Sequence, residues 1–431
     1  MRIFYKICRW SIWLYCVPQS FAQVYPKLPS KLMIPKGQWD TANELKIYFS
    51  DSDGKKHETT IDSRLQNHLT QFLETQGSPI AGVVMVEVKS GKVLAMAQGR
   101  SPELWGSPVH TGLYSGFPAA SIFKTVVSVA GLELGQLTPN EVVGLNDGCG
   151  NVHPRGTWMN ENVMARNDTI TLREAYGHSC NSFFAKMAVN RLGFGAIDFF
   201  AKELGWDQDL PFDFETQRSV IQPPDIFTSH TQTIGKFAAG FGAVGLSPAH
   251  GAYLALTIAQ NGRSRPLILN GETLIPNDSE LKSLFAEETA VNLRDIMKQT
   301  LMSGTATHAF SMGRYAHLRP YVGGKTGTLS SKNPPGLATL FIGLMPIDNP
   351  QVAVASVVIL QGKWNLKAAH LGAEALAKYA ELYVTDLSNT KRQILLPSEQ
   401  QNFFKAPKRK KISWFHQKKV KRKRIAIKFK N

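Results

Sequence analysis

The stretch Phe117-Pro118-Ala119-Ala120-Ser121-Ile122-Phe123-Lys124 sets a hydroxyl and an ammonium three residues apart in an otherwise apolar run. Three residues is close to one helical turn, so the two side chains fall on one face. Burying a lysine is costly unless it gives up its charge. A serine beside a lysine held neutral is a nucleophile with its own base.

Ser-x-x-Lys alone is a weak signal, and the chain has four, beginning at Ser52, Ser121, Ser279 and Ser388. Three sit in polar segments. Only Ser121 opens a strongly apolar helix, predicted over 121–134 after Pro118, where backbone N–H groups and the helix dipole favour a developing negative charge. Downstream lie Ser179-Cys180-Asn181 and, on a predicted strand, Lys325-Thr326-Gly327-Thr328. A second Ser-x-Asn, Ser331-Lys332-Asn333, follows the Lys-Thr-Gly in a predicted loop and is out of order. Taken singly, Ser179 and Asn181 read as a helix cap and Lys-Thr-Gly as a strand-edge device. Three motifs in this order, each on a suitable element, are a specific combination.

The elements around them suggest the fold. Apolar runs at 80–88 and 93–97 flank Lys89-Ser90-Gly91-Lys92 and predict a hairpin. A helix is predicted at 62–76 before them and a strand at 45–49 before that. Helical patterns then cover 121–134, 172–192, 196–204, 249–261 and 290–302. Strands return at 321–329, 338–345 and 352–360 with short Gly/Pro/Asn-rich connections, and a helix closes at 366–382. The expected class is α+β: an antiparallel sheet built from both ends of the chain, flanked by helices, with a helical insertion between.

Together the motifs resemble those of the transpeptidase domain of penicillin-binding proteins, serine acyltransferases that cross-link peptidoglycan. The segments TIDSRLQNHL, LREAYGHSCNSFF, GLSPAHGAYLALTIAQNG, MSGTA and LFIGLMPIDNPQVAVA are similar to parts of that domain, over about residues 58–384. The resemblance implies that Ser121 attacks a D-alanyl-D-alanine stem, with Lys124 as base and Ser179 as proton relay. It implies that Asn181, Lys325, Thr326 and Gly327 hold the substrate, Gly327 by letting its backbone lie against the strand edge. Lys325 would also lower the pKa of Lys124. The N–H groups of Ser121 and Thr328 would form the oxyanion hole. Peptidoglycan stem peptides and, as covalent inhibitors, β-lactams are the implied partners; no cofactor and no metal are expected. With so few residues before 58, no glycosyltransferase domain and no large N-terminal pedestal are expected. A DD-carboxypeptidase or endopeptidase would use the same residues. A β-lactamase of one class needs a Glu-x-x-Leu-Asn loop not found here, and another prefers Val where Asn181 stands. A β-lactam sensor or inert scaffold remains the non-enzymatic alternative.

The ends of the chain carry separate signals. Arg2, Lys6 and Arg9 precede a short apolar run at 10–17 and small residues at Ser20 and Ala22, the pattern of a secretory signal over 1–22 and of export to the periplasm or cell envelope. Residues 23–57 form a polar lead-in. The net charge is +16, but residues 405–430 hold 13 Lys or Arg and no acid, so 16 less 13 leaves +3 elsewhere. In an exported chain the basic tail within 385–431 is either a solvated end or a contact for an anionic membrane or wall polymer, and nucleic acid is not the expected partner. Cleavage after Ala22 leaves two cysteines, Cys149 and Cys180, which are either free or paired. His153 and His178 lie near them, but the spacing fits no standard zinc site.

Overall fold

The computed structural model describes residues 46–50, 55–77, 79–104, 107–146, 148–150, 152, 157–161, 168–224, 231–311, 313–362 and 366–384. The readings made for residues 1–22, 23–45 and 385–431, and for His153, lie outside them.

Five strands form one antiparallel sheet: β1 (Ala81–Glu87), β2 (Val93–Gln98), β3 (Gly323–Lys332), β4 (Pro335–Met345) and β5 (Val352–Leu360), in the order β3-β4-β5-β1-β2. The early hairpin and the late meander meet where β5 pairs with β1, with Ala355 opposite Val84. β1 and β5 are the apolar centre because both faces are covered. Every residue of β5 from Val352 to Ile359 is buried, which explains a continuous rather than alternating apolar pattern.

Helices cover the two faces. On one, α1 (Ser63–Thr75) starts at the N-cap Asp62, whose carboxylate accepts from the N–H groups of Arg64 and Leu65, and it buries the stripe Leu65, Leu69, Leu73. The C-terminal helix, Ala368–Tyr383, joins it there through a 2.6 Å contact between His68 Nε2 and the buried carboxylate of Glu374. Residues 380–384 at its end belong to a second unit that continues beyond the described residues. On the opposite face lies a helix, Pro248–Ala259, that is buried along its whole length. Its sequence PAHGAYLALTIA has no polar stripe, so it can only be a central helix.

The helical insertion enters between β2 and β3, as the sequence predicts. It contains α2 (Lys124–Glu133), α3 (Leu172–His178), α4 (Asn181–Met187), α5 (Gly193–Glu203) and α6 (Glu287–Met302). One expectation fails here. The apolar periodicity over 172–192 predicts one helix, but the chain breaks at Ser179, which adopts a left-handed conformation (φ 58°, ψ 43°). Cys180 is extended, and the helix restarts at Asn181. Both halves face the core, so the pattern runs straight through the break. Strand β3 also continues through Ser331 and Lys332, which the sequence places in a loop. It is an edge strand whose outer end is exposed, so polar residues there do not mark its end. The early strand begins at Tyr48 and pairs with Lys56–Glu58.

Candidate active site

Ser121 sits on a single 3-10 turn, Ala120–Phe123, that leads into α2. Three residues per turn eclipse positions i and i+3, so Lys124 stands directly over Ser121, with Nζ 3.1 Å from Oγ. The turn is anchored from behind: Ala119 N–H donates to Val244 O at 2.8 Å, and Leu246 N–H donates to Phe117 O at 2.8 Å. Held this way, Ala120 takes φ 49°. A non-glycine residue there costs on the order of 1–3 kcal/mol, offset by the surrounding packing. Gly240 faces it from the insertion with φ 93°, and a Cβ on Gly240 would lie 2.2 Å from Ala120 O. Only glycine allows that approach.

The break between α3 and α4 brings the second motif to Lys124. Nζ of Lys124 lies 2.8 Å from Ser179 O, 3.1 Å from Ser179 Oγ and 2.6 Å from Asn181 Oδ1. The two carbonyl oxygens can only accept, so they take two N–H bonds. A neutral amine has two hydrogens, and using both here turns its lone pair to the serine hydroxyls. Lys124 is fully buried and its Nζ lies 5.6 Å from the centre of the Phe184 ring. Burial first, and the charge of Lys325 second, hold its pKa well below the ordinary lysine value.

Strand β3 supplies the third motif from the sheet edge. Lys325 and Gly327 face the helical layer. Lys325 is fully buried, with Nζ 2.9 Å from Thr326 O and 5.5 Å from the ring centre of Tyr176. Burial pushes its pKa down to about 7. A Cβ on Gly327 would come within 3.1 Å of Ala119 O and 3.3 Å of Ala120 Cβ, so glycine lets the strand fit against the turn that carries Ser121. Thr326 Oγ1 is hydrogen-bonded to Thr305 Oγ1. Thr305 N–H also donates to Gly177 O at 3.0 Å, which ties that loop to α3.

Ser121, Ser179, Asn181, Thr326, Gly327 and Thr328 all line one cleft of about 400 Å³. The structure thus brings together the sequence-assigned residues, with Lys124 and Lys325 buried in the wall behind. Among the cleft residues that the sequence reading gave no role are Gly240, Thr305 and Lys367. Thr305 stands in the MSGTA segment, a usable signal. Gly240 acts only through the absence of a side chain. Lys367 is the one charged side chain among the described lining residues. Beside the cleft, Cys149 and Cys180 form a disulfide, which answers the question their sequence left open.

The family model of the penicillin binding protein transpeptidase domain matches residues 81–378. The chain belongs to that family. It is 27% identical over 350 residues to the peptidoglycan D,D-transpeptidase PbpA of Mycobacterium tuberculosis, covering 72% of this chain and 68% of the relative. Among solved structures it is similar to the ceftriaxone acyl-enzyme complex of M. tuberculosis penicillin-binding protein A, with 21% identity, TM-score 0.59 and coverage of 76% and 80%. It is also similar to the D,D-transpeptidase domain of a peptidoglycan glycosyltransferase from Eggerthella lenta, with 18% identity, TM-score 0.59 and coverage of 78% and 95%.

Proposed function

We propose that this protein is a peptidoglycan D,D-transpeptidase working through an acyl-enzyme on Ser121. The observation that carries the reading is Lys124 Nζ, buried beside Lys325 and 3.1 Å from the hydroxyls of both Ser121 and Ser179. Ser121 Oγ attacks the carbonyl carbon between the two D-alanines, and its proton passes to Lys124. The oxyanion is held by the N–H groups of Ser121 and Thr328. Collapse of the tetrahedral intermediate breaks the peptide bond, and the leaving D-alanine amine takes its proton through Ser179. Asn181 holds the substrate amide, while Lys325 and Thr326 hold its terminal carboxylate. The amine of a second stem peptide then attacks the acyl-enzyme and regenerates Ser121.

β-Lactams enter the same route and stop at the acyl-enzyme, as the M. tuberculosis relative does with ceftriaxone. A labelled penicillin is expected on the peptide containing Ser121 and absent from Ser121→Ala. Label that survives the substitution overturns the nucleophile assignment. On purified muropeptides the product is a cross-linked dimer; release of D-alanine without dimers would assign a carboxypeptidase instead. We further read residues 1–22 as an export signal and residues 405–431 as a contact for an anionic envelope surface. Deleting 405–431 should abolish sedimentation with anionic vesicles and leave acylation unchanged, and equal binding to neutral vesicles would overturn the electrostatic reading.

A further inference from the structure

The residue between Ser179 and Asn181 is itself cross-linked. Cys180, 1% exposed, is joined to Cys149, 31 positions earlier in the chain. The same two segments are clasped by backbone bonds. Cys149 O accepts from Asn181 N–H at 2.8 Å and from Ser182 N–H at 3.1 Å. Ser182 Oγ donates to Gly148 O at 2.7 Å. Cys149 O thus takes up two of the amides left open at the start of α4. The neighbours of Cys180 sit at the junction of two helices: Ser179 closes α3 in the left-handed conformation, and Asn181 begins α4 without a side-chain cap. Yet these two neighbours supply three of the four polar contacts of Lys124 Nζ.

We propose that the Cys149–Cys180 disulfide is a positioning element of the reaction, and that acylation of Ser121 depends on its being closed. The inference rests on the serine acyl-enzyme reading above. A dithiol reductant would transfer two electrons and two protons to the pair, opening the S–S bond to two thiols while the reductant becomes a disulfide. The carbonyl of Cys149 is then no longer covalently pinned over α4. Ser179 and Asn181 lose their fixed relation to Lys124, and water reaches the amine. Lys124 also faces the charge of Lys325 from β3 and the ring of Phe184 from α4. Lys325 lies on β3, away from the cross-linked segments, so its charge on Lys124 does not depend on the disulfide.

The test uses the full-length protein and a labelled penicillin, with rates of Ser121 labelling followed across pH. The double variant Cys149→Ala/Cys180→Ala is expected to acylate at least tenfold more slowly. Its rising pH limb should move to higher pH, because relief of desolvation raises the pKa of Lys124. A variant with the wild-type rate and limb overturns the proposal, whatever its melting temperature. If the variant does not fold, the wild type is reduced with a dithiol, and opening is scored by alkylation of both cysteines. Loss of labelling that precedes loss of the near-ultraviolet circular dichroism and returns on reoxidation supports the proposal. Loss that only follows global unfolding, or no loss, overturns it. Failure of the oxidised wild type to label at Ser121 would instead overturn the acyl-enzyme reading.

Discussion

Lys124 Nζ lies 2.6 Å from Asn181 Oδ1, closer than it lies to the serine it would deprotonate. The amide oxygen is therefore committed to the lysine, and the Asn181 NH₂ is left to donate toward the cleft. A neutral acceptor at this point orients the amine without restoring its charge. A carboxylate would do the opposite, since an adjacent negative charge favours the ammonium.

Asn181→Asp should accordingly cut acylation at pH 7 by about 100-fold, within the range general base catalysis contributes. Measured against the wild type at the same pH, the deficit should shrink as pH rises and Lys124 is forced to give up its proton. Rates of labelled-penicillin acylation between pH 6 and 10 check this. An unshifted rising limb would mean that Asn181 acts on the substrate alone.

Lys124 and Lys325 predict both a rate profile and a stability profile. Acylation is expected to rise with pH as Lys124, lowered by burial and by the charge of Lys325, gives up its proton. It then falls as Lys325 titrates near 7. For stability the sign follows from proton counts. Between about 7 and 10.5 the unfolded chain keeps the Lys325 proton and the folded chain does not, so stability rises with pH across that window. Below about 7 both states are protonated and the burial penalty is fully expressed. Lys325→Met should remove part of that rise and stabilise the protein at pH 6.5 by about 1–3 kcal/mol, while lowering acylation. Urea midpoints at pH 6.5 and 9 measure it.

Thr305 is expected to act through Thr326. Thr305→Val removes the hydroxyl that fixes Thr326 Oγ1 and leaves that group free to turn. The expected loss is about 1 kcal/mol, or roughly fivefold in the second-order acylation rate. Thr305→Ser should keep most of the activity, and equal losses in the two variants would argue against the hydrogen bond.

How far the site was legible depends on what each residue contributes. The roles proposed for Ser121, Lys124, Ser179, Asn181 and Lys325 need those side-chain types, so their motifs stand out in the sequence. The sheet was legible because β5 and β1 are apolar throughout. The break at Ser179 was not, since the cross-link and the carbonyl cap that meet the chain there come from Cys149, far away in sequence. The outer end of β3 was missed because edge-strand residues face solvent and look like a loop. Gly240 left no trace, because a missing Cβ has no pattern.

Gly240→Ala tests that last residue directly. The added methyl meets Ala120 O at 2.2 Å in a conformation with φ 93°, and the chain must move one or the other. The expected outcome is a loss of stability of at least about 1–3 kcal/mol and acylation slowed well beyond what the drop in melting temperature explains. A variant that melts and acylates like the wild type would show that the turn is more yielding than its contacts indicate.

The contact between Gly240 and Ala120 also bears on drug resistance. A target usually escapes an inhibitor by changing a residue that the inhibitor touches and the substrate does not need. At Gly240 every coded alternative adds a Cβ that meets the turn carrying Ser121, so escape there is expected to disarm the enzyme along with the drug. An inhibitor built to rest on the Gly240 backbone would bind where the gene has the least freedom to answer.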